Sequence, residues 1–223
     1  MQNDRNPMAW TRTHPSSGPR LWPGAVGIWL ACLALLVVSC ASTGQTAHAD
    51  ETTVSSDVVL VDFSDAGEVA TWTTVNDPVM GGRSTSSVTF GDGGLVFSGA
   101  ISLENNGGFA SARGPVSPDI GRKAAGATAL RVRAAGDGKT YVLRVGAAGQ
   151  SWSYIQRFAT EPAVQRSYDL PIAGFQAVGM RLDPAPNAPQ TLDPSSISQV
   201  SVYILDKQQG PFALTMTAID AGT

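Results

Sequence analysis

From residue 58 onward the chain reads as short strand-like runs, and some alternate apolar and polar positions with period two, the spacing of a strand with one buried face. Leu130-Arg131-Val132-Arg133 and Tyr141-Val142-Leu143-Arg144-Val145 show it most plainly, and Gly136-Asp137-Gly138-Lys139 between them reads as a turn. The two runs are therefore expected to be neighbouring strands. Residues 84–90 and 95–98 flank Gly91-Asp92-Gly93-Gly94, a strong hairpin signal. Other strand-like runs cover residues 58–63, 152–158, 166–170, 178–182, 200–205 and 212–219, the last with Phe212, Leu214 and Met216 on one face. A turn at residues 206–210 precedes that last run, which predicts a terminal hairpin completing a sheet. Roughly ten strands spaced by turn residues, with no long amphipathic helix, predict an all-β sandwich over residues 58–223.

The front of the chain follows another pattern. Arg5, Arg12 and Arg20 form a basic leader, and residues 25–38 read AVGIWLACLALLVV, apolar and uncharged. That run falls short of the roughly 20 apolar residues of a membrane span and matches the core of a secretory signal. Val37-Val38-Ser39-Cys40 fits a lipobox, in which cleavage exposes Cys40 for diacylation. Two acyl chains suffice for stable anchoring. The alternative is a signal peptide with an incidental cysteine, or an uncleaved anchor. Residues 1–39 are thus expected to be a lipoprotein signal peptide, and residues 40–57 the acylated cysteine and a flexible tether rich in Ser, Thr and Ala. The expected location is extracytoplasmic, lipid-anchored in the cell membrane or outer membrane.

Three polar, glycine-rich blocks punctuate the strands. They are Asn76-Asp77-Pro78-Val79-Met80-Gly81-Gly82-Arg83-Ser84, then residues 99–113 (GAISLENNGGFASAR), then Leu205-Asp206-Lys207-Gln208-Gln209-Gly210-Pro211-Phe212. Together they resemble the signature of the complex I intermediate-associated protein 30 family, whose members look like N-D-x-V-M-G-G-x-S, then G-x-[IV]-S-L-E-N-N-G-G-F-A-S-x-R, then I-x-x-[DA]-D-K-Q-x-G-P-F. The resemblance spans roughly residues 58–219 and implies a jelly-roll β-sandwich of the galactose-binding-domain-like kind. Mitochondrial relatives assist assembly of NADH:ubiquinone oxidoreductase. Pro78 stands where many relatives carry glycine, and Gly146-Ala147-Ala148-Gly149 is shorter and blander than the matching stretch of relatives.

Composition removes several chemistries. Both histidines, His14 and His48, and both cysteines, Cys32 and Cys40, precede residue 58. The domain therefore cannot build a Ser-His-Asp triad, a Cys-His pair or a His- or Cys-ligated metal site. Removing Arg5, Arg12, Arg20 and Asp4 with the signal leaves 12 basic and 17 acidic residues, a net of −5. The bases are dispersed, which argues against nucleic acid. Only oxygen ligands remain for a cation, so a structural calcium ion is the one cofactor considered.

Candidate site residues carry a bland reading beside a functional one. Asn76, Asp77 and Arg83 either shape a turn or line a loop at one end of the sandwich. Asn105 and Asn106 suit a bend, whereas Glu104 needs a reason: an ion pair with Arg113, Arg133 or Lys207, or a ligand. Arg131, Arg133 and Arg144 are expected on one face of adjacent strands, either solvated or forming a concave polar site. Trp152, Tyr154, Gln156 and Arg157 follow on the next strand and offer a ring, an amide and a guanidinium to a sugar or a protein surface. Asp206 and Lys207 adjoin the last turn, where a salt bridge or turn bond competes with partner contact.

These readings converge on a non-enzymatic, lipid-anchored binding or assembly module that holds a membrane or envelope protein. The alternative is a carbohydrate-binding module for envelope glycans. A glycosidase-like hydrolase comes third: two carboxylates would suffice, but nothing marks Glu104 and Asp206 as a pair.

Overall fold

The computed structural model describes residues 57–223. The signal segment, Cys40 and all of the tether before Asp57 lie outside the described residues. Twelve strands form two antiparallel sheets: Val58–Asp62 (β1), Thr73–Asn76 (β2), Thr85–Gly91 (β3), Gly94–Ile101 (β4), Ala110–Arg113 (β5), Ala129–Ala135 (β6), Thr140–Gly146 (β7), Ser153–Ala159 (β8), Gln165–Pro171 (β9), Gln176–Val178 (β10), Gln199–Ile204 (β11) and Gly210–Gly222 (β12). Sheet A runs β3-β4-β12-β6-β9, with β1 also paired to β12. Sheet B runs β10-β8-β7-β11-β5-β2. The chain passes back and forth between the sheets, as in the jelly roll that the family resemblance implied. Two short helices, Ala66–Ala70 and Asp119–Ala124, and the strands β2 and β5 escaped the alternation pattern because each is only four to six residues long.

The core lies between the sheets. Sheet A contributes Leu95, Phe97, Leu130, Val132 and Leu214, and sheet B contributes Tyr141, Leu143, Val145, Val202 and Ile204, all fully buried. Phe212, Leu214 and Met216 do share the core face, and a register shift between Met216 and Ala218 then moves Ile219 and Ala221 onto it. One bulge thus keeps the thirteen-residue β12 apolar-side-in along its whole length. The β3–β4 hairpin forms as expected: Gly91 pairs with Gly94, and Asp92 and Gly93 supply the positive φ of the tight turn.

Two expected hairpins are arches instead. β6 is in sheet A and β7 in sheet B; β11 is in sheet B and β12 in sheet A. Side chains explain both. Asp137 Oδ1 accepts from Lys139 N (3.0 Å) and from the Tyr141 hydroxyl (3.1 Å), while Oδ2 accepts from Ala213 N (3.0 Å). Gln208 Oε1 accepts from Thr140 N (2.9 Å), and its Nε2 donates to Thr140 O (2.7 Å) and Leu205 O (3.0 Å). Each arch is thereby tied to the other, and the glutamine of the third block is a structural clasp. The expected strand at residues 178–182 also fails beyond Val178, because Gly179 and Leu182 close a turn (Leu182 N to Gly179 O, 3.1 Å).

At the same end of the sandwich as these arches, Asp77 joins the first two blocks. It is 2% exposed. Its carboxylate accepts from Ser84 N (2.8 Å), Ser84 Oγ (2.5 Å), Gly108 N (2.6 Å) and Phe109 N (3.3 Å). The glycines beside it are spatial requirements. A Cβ on Gly82 would sit 2.4 Å from Asp77 Cγ, and one on Gly107 would sit 2.6 Å from Asp77 Oδ2. Burial opposes ionisation of Asp77, but the bonds from Ser84, Gly108 and Phe109 outweigh it and hold the carboxyl below the usual carboxylate range.

Two outcomes follow from these contacts. Asp77→Asn, which sets an amide N–H against the N–H of Gly108, is expected to lower unfolding free energy in urea by about 3 kcal/mol at neutral pH. Because the folded pKa of Asp77 is depressed, its contribution is fully present above the unfolded value near 3.9 and is lost as pH falls through the folded one. The gap between wild type and variant should therefore narrow on acidification below about pH 4. Asp137→Ala and Gln208→Ala should each cost about 1–3 kcal/mol, and urea denaturation of the double variant should show a loss that differs from the sum, since the two clasp the same pair of arches.

Candidate functional site

The residues singled out from sequence separate into four places. The first is the knot around Asp77. The Asn76 amide meets Ser86 Oγ at 2.6 Å. Asn105 has φ 54° and donates to Gly81 O (3.1 Å), and Asn106 has φ 58°. Glu104 pairs with Arg83 at 3.3 Å on the surface, not with Arg113, Arg133 or Lys207 as expected. Its partner comes from the first block because the knot brings the two loops together. An exposed pair of this kind contributes about 0–1 kcal/mol. Asp77 offers no edge to a ligand, so the turn reading accounts for it.

The second place is the outer face of sheet A. Arg131 and Arg133 lie here on β6, and Arg144 lies on β7 in the other sheet, so the expected trio of neighbouring arginines does not form. Arg131 bonds Asp57 and Asp169. Arg133 Nε lies 2.6 Å from Asp220, which is fully buried yet accepts no well-aligned hydrogen bond. Burial pushes the Asp220 carboxyl above the usual carboxylate range despite the Arg133 charge. These arginines are neutralised by acids of their own sheet.

The third place is the core. Tyr154 and Gln156 point inward from β8. Tyr154 is buried, with its hydroxyl donating to Pro189 O (3.0 Å). Gln156 Oε1 is buried without a partner in the structure. Neither joins Arg157 on an exposed face, because strand neighbours alternate sides.

The fourth place is the outer face of sheet B, and here a site is built. Arg144 and Ile155 are paired positions on β7 and β8, and Ser201 lies opposite Arg144 on β11 and opposite Arg113 on β5. Tyr203 lies between Arg113 and Arg144, whose guanidinium carbons are 5.5 Å and 5.8 Å from its ring centroid. Arg144 Nε donates to Ser153 Oγ (2.7 Å) and its Nη1 to the Tyr203 hydroxyl (2.8 Å). A cavity of about 290 Å³ opens beside them, lined by Arg144, Trp152, Ser153, Gln199 and Ser201 and walled by the short loop of residues 146–150. Sequence reasoning named Arg144 and Trp152 for a site and Arg113 only as a possible ion-pair partner of Glu104, and it passed over Gln199, Ser201 and Tyr203. Their signal was present, since Gln199, Ser201 and Tyr203 alternate with Val200, Val202 and Ile204.

Further along this face, Val142, Ile155, Val178 and Tyr203 form a small buried apolar cluster, with Leu182 and Leu205 packed on it. A second, more open cavity of about 350 Å³ adjoins it, lined by Ile155, Arg157, Phe175, Leu182 and Pro184. Asp206 is not paired with Lys207. Arg157 grips it through two bonds, Nε to Oδ2 (2.8 Å) and Nη2 to Oδ1 (2.9 Å), and these hold the Asp206 carboxyl below its ordinary range. Lys207 is exposed, and its backbone O closes the turn by accepting from Gln209 N (2.8 Å). Glu104 and Asp206, the two acids weighed as a hydrolytic pair, are thus each engaged by a different arginine. Among the described residues, no three His, Cys, Asp or Glu side chains gather as a metal site.

Comparison with known proteins supplies the context. The family 11 carbohydrate-binding module of the cellulosomal cellulase Lic26A-Cel5E of Clostridium thermocellum superposes with a TM-score of 0.55 at 12% identity, over 77% of this chain and 97% of that one. A solution structure of CtCBM11 gives 0.50 at 12% identity, over 77% and 98%. At such identity the likeness is one of fold: two antiparallel sheets in a jelly roll. No curated protein matches the sequence. The family model for complex I intermediate-associated protein 30 matches residues 61–216, which contain all three blocks and both arches. The chain belongs to the complex I intermediate-associated protein 30 family.

Proposed function

We propose that this domain is a non-catalytic binding module that engages a glycan on the outer face of sheet B. The cavity beside Arg144 and Trp152 carries the reading. It combines Trp152, a half-buried residue that also packs against the core, with hydroxyl, amide and guanidinium groups over a rigid floor of paired strands, which suits a hydroxyl-rich ring. The fold likeness to carbohydrate-binding modules is consistent with it and does not carry it. A lipid anchor at Cys40, read from sequence, would place the domain outside the cytoplasm against the cell envelope.

A second reading keeps the module but gives it a protein client, as the description of the family invites. Its specific support is Met180, 81% exposed, in the turn whose Leu182 packs onto the apolar cluster of the same face. In that reading the domain holds an assembling membrane protein, and Cys40 keeps it at the bilayer.

Affinity electrophoresis of the full-length protein through gels containing neutral and acidic polysaccharides tests the first reading. At least one polysaccharide should retard it, and Trp152→Ala should weaken binding by about tenfold or more while the fold is retained by circular dichroism. Migration unchanged in every gel would overturn it. Crosslinking in cells that then captures a particular membrane protein, lost in both Met180→Glu and Cys40→Ser, would establish the second reading in its place.

A further inference from the structure

We infer that the sheet B cavity takes an acidic glycan, one bearing uronate carboxylates or sulfates; this rests on the glycan reading above. The observation is a charge imbalance confined to one face. Arg83, Arg122, Arg131, Arg133, Arg157 and Arg166 each pair with a carboxylate. The remaining arginines among the described residues are Arg113, Arg144 and Arg181, and none has an acid partner there. Arg113 and Arg144 flank Tyr203 on sheet B, and Arg181 sits in the turn whose Leu182 packs on the same face. The domain is acidic as a whole, yet its unpaired guanidinium groups gather on the side that carries the cavity.

Arg144 is built as a receptor for an anion. It is half-buried, its Nε and Nη1 are fixed by Ser153 and Tyr203, and its Nη2 donates to no described residue. A guanidinium held this way loses little further entropy when an oxyanion arrives, and it bonds carboxylate or sulfate about twice as strongly as a neutral acceptor. No carboxylate lines the cavity to compete. Arg113 adds a second positive charge across the Tyr203 ring, and among the described residues its one acceptor is Ser111 Oγ (3.1 Å).

The same geometry argues against an acidic peptide strand. The floor is β7, β8 and β11, interior strands whose backbone groups are already paired on both sides, so no strand can be added there. The walls offer Ser153, Ser201 and Gln199 side chains, which match ring hydroxyls and ring substituents. A volume of about 290 Å³ holds one sugar unit, with the rest of the chain running out over the open rim.

The test uses the full-length protein and three soluble probes by isothermal titration: polygalacturonate for carboxylate, dextran sulfate for sulfate, and dextran as the neutral control. The expected result is binding to polygalacturonate or dextran sulfate, loss of affinity as sodium chloride is raised, and at least about tenfold weakening in Arg144→Gln. Whichever probe binds identifies the acid group. Gln150→Glu, on the exposed rim, introduces a carboxylate without disturbing packing and should weaken the same probe even if Arg144→Gln proves poorly folded. Dextran or a neutral β-glucan bound as tightly as the acidic probes would overturn the acidic assignment and leave the glycan reading standing. Polyglutamate bound as tightly as polygalacturonate would overturn it as mere charge attraction. No binding to any polysaccharide would remove both readings together.

Discussion

The carboxylate of Asp77 is the contact on which this sandwich turns. It is an anion inside the fold with no ion-pair partner among the described residues, stabilised by the hydroxyl of Ser84 and by backbone N–H groups of Ser84, Gly108 and Phe109. Such an arrangement works only if main chain can come within hydrogen-bond distance from both sides, and that closeness is what excludes a Cβ at Gly82 and Gly107. One buried acid therefore dictates the residues around it in two loops far apart in sequence. The passages that define the family most sharply are, in this chain, instructions for closing one end of the sandwich. The third block acts at the crossing between the sheets, where Gln208 spans from one arch to the next.

With the signature absorbed by architecture, binding capacity lies elsewhere, and the two outer faces differ in kind. On sheet A the guanidinium groups of Arg131 and Arg133 are answered by Asp57, Asp169 and Asp220. On sheet B, Arg113 and Arg144 are answered by a tyrosine ring and serine hydroxyls, neutral groups that orient a cation without discharging it. The cavity stays open because the loop after β7 is built from glycine and alanine. The blandness of Gly146-Ala147-Ala148-Gly149, unpromising as chemistry, is what leaves room beside Trp152.

The sandwich was legible because alternation reports which face of a strand is buried. It does not report which sheet a strand joins. Gly91-Asp92-Gly93-Gly94 and Gly136-Asp137-Gly138-Lys139 look alike on paper, yet the first closes a two-residue turn and the second spends its aspartate on Tyr141 and Ala213. That difference depends on Ala213, 76 residues away, and it moved Arg144 to the opposite side of the molecule from Arg131 and Arg133. Placing Tyr154 and Gln156 outward beside Arg157 overlooked the parity of a single strand. Gln199, Ser201 and Tyr203 could have been read as an outward row, but nothing in their own stretch shows that Arg113 and Arg144 would flank it.

The placement of β12 has a consequence for how the chain is made. It is the middle of sheet A, with β4 and β1 along one side and β6 along the other, and it is the last strand in the sequence. Val58 finds its partner only at Ala221. Before that segment arrives, the flanks of β4 and β6 are unpaired edges carrying Leu95, Phe97, Leu130 and Val132, the kind of surface that joins other chains. The domain cannot be assembled piece by piece from its beginning. It must be kept apart from its neighbours until nearly all of it is present, and then its two ends close the sheet together.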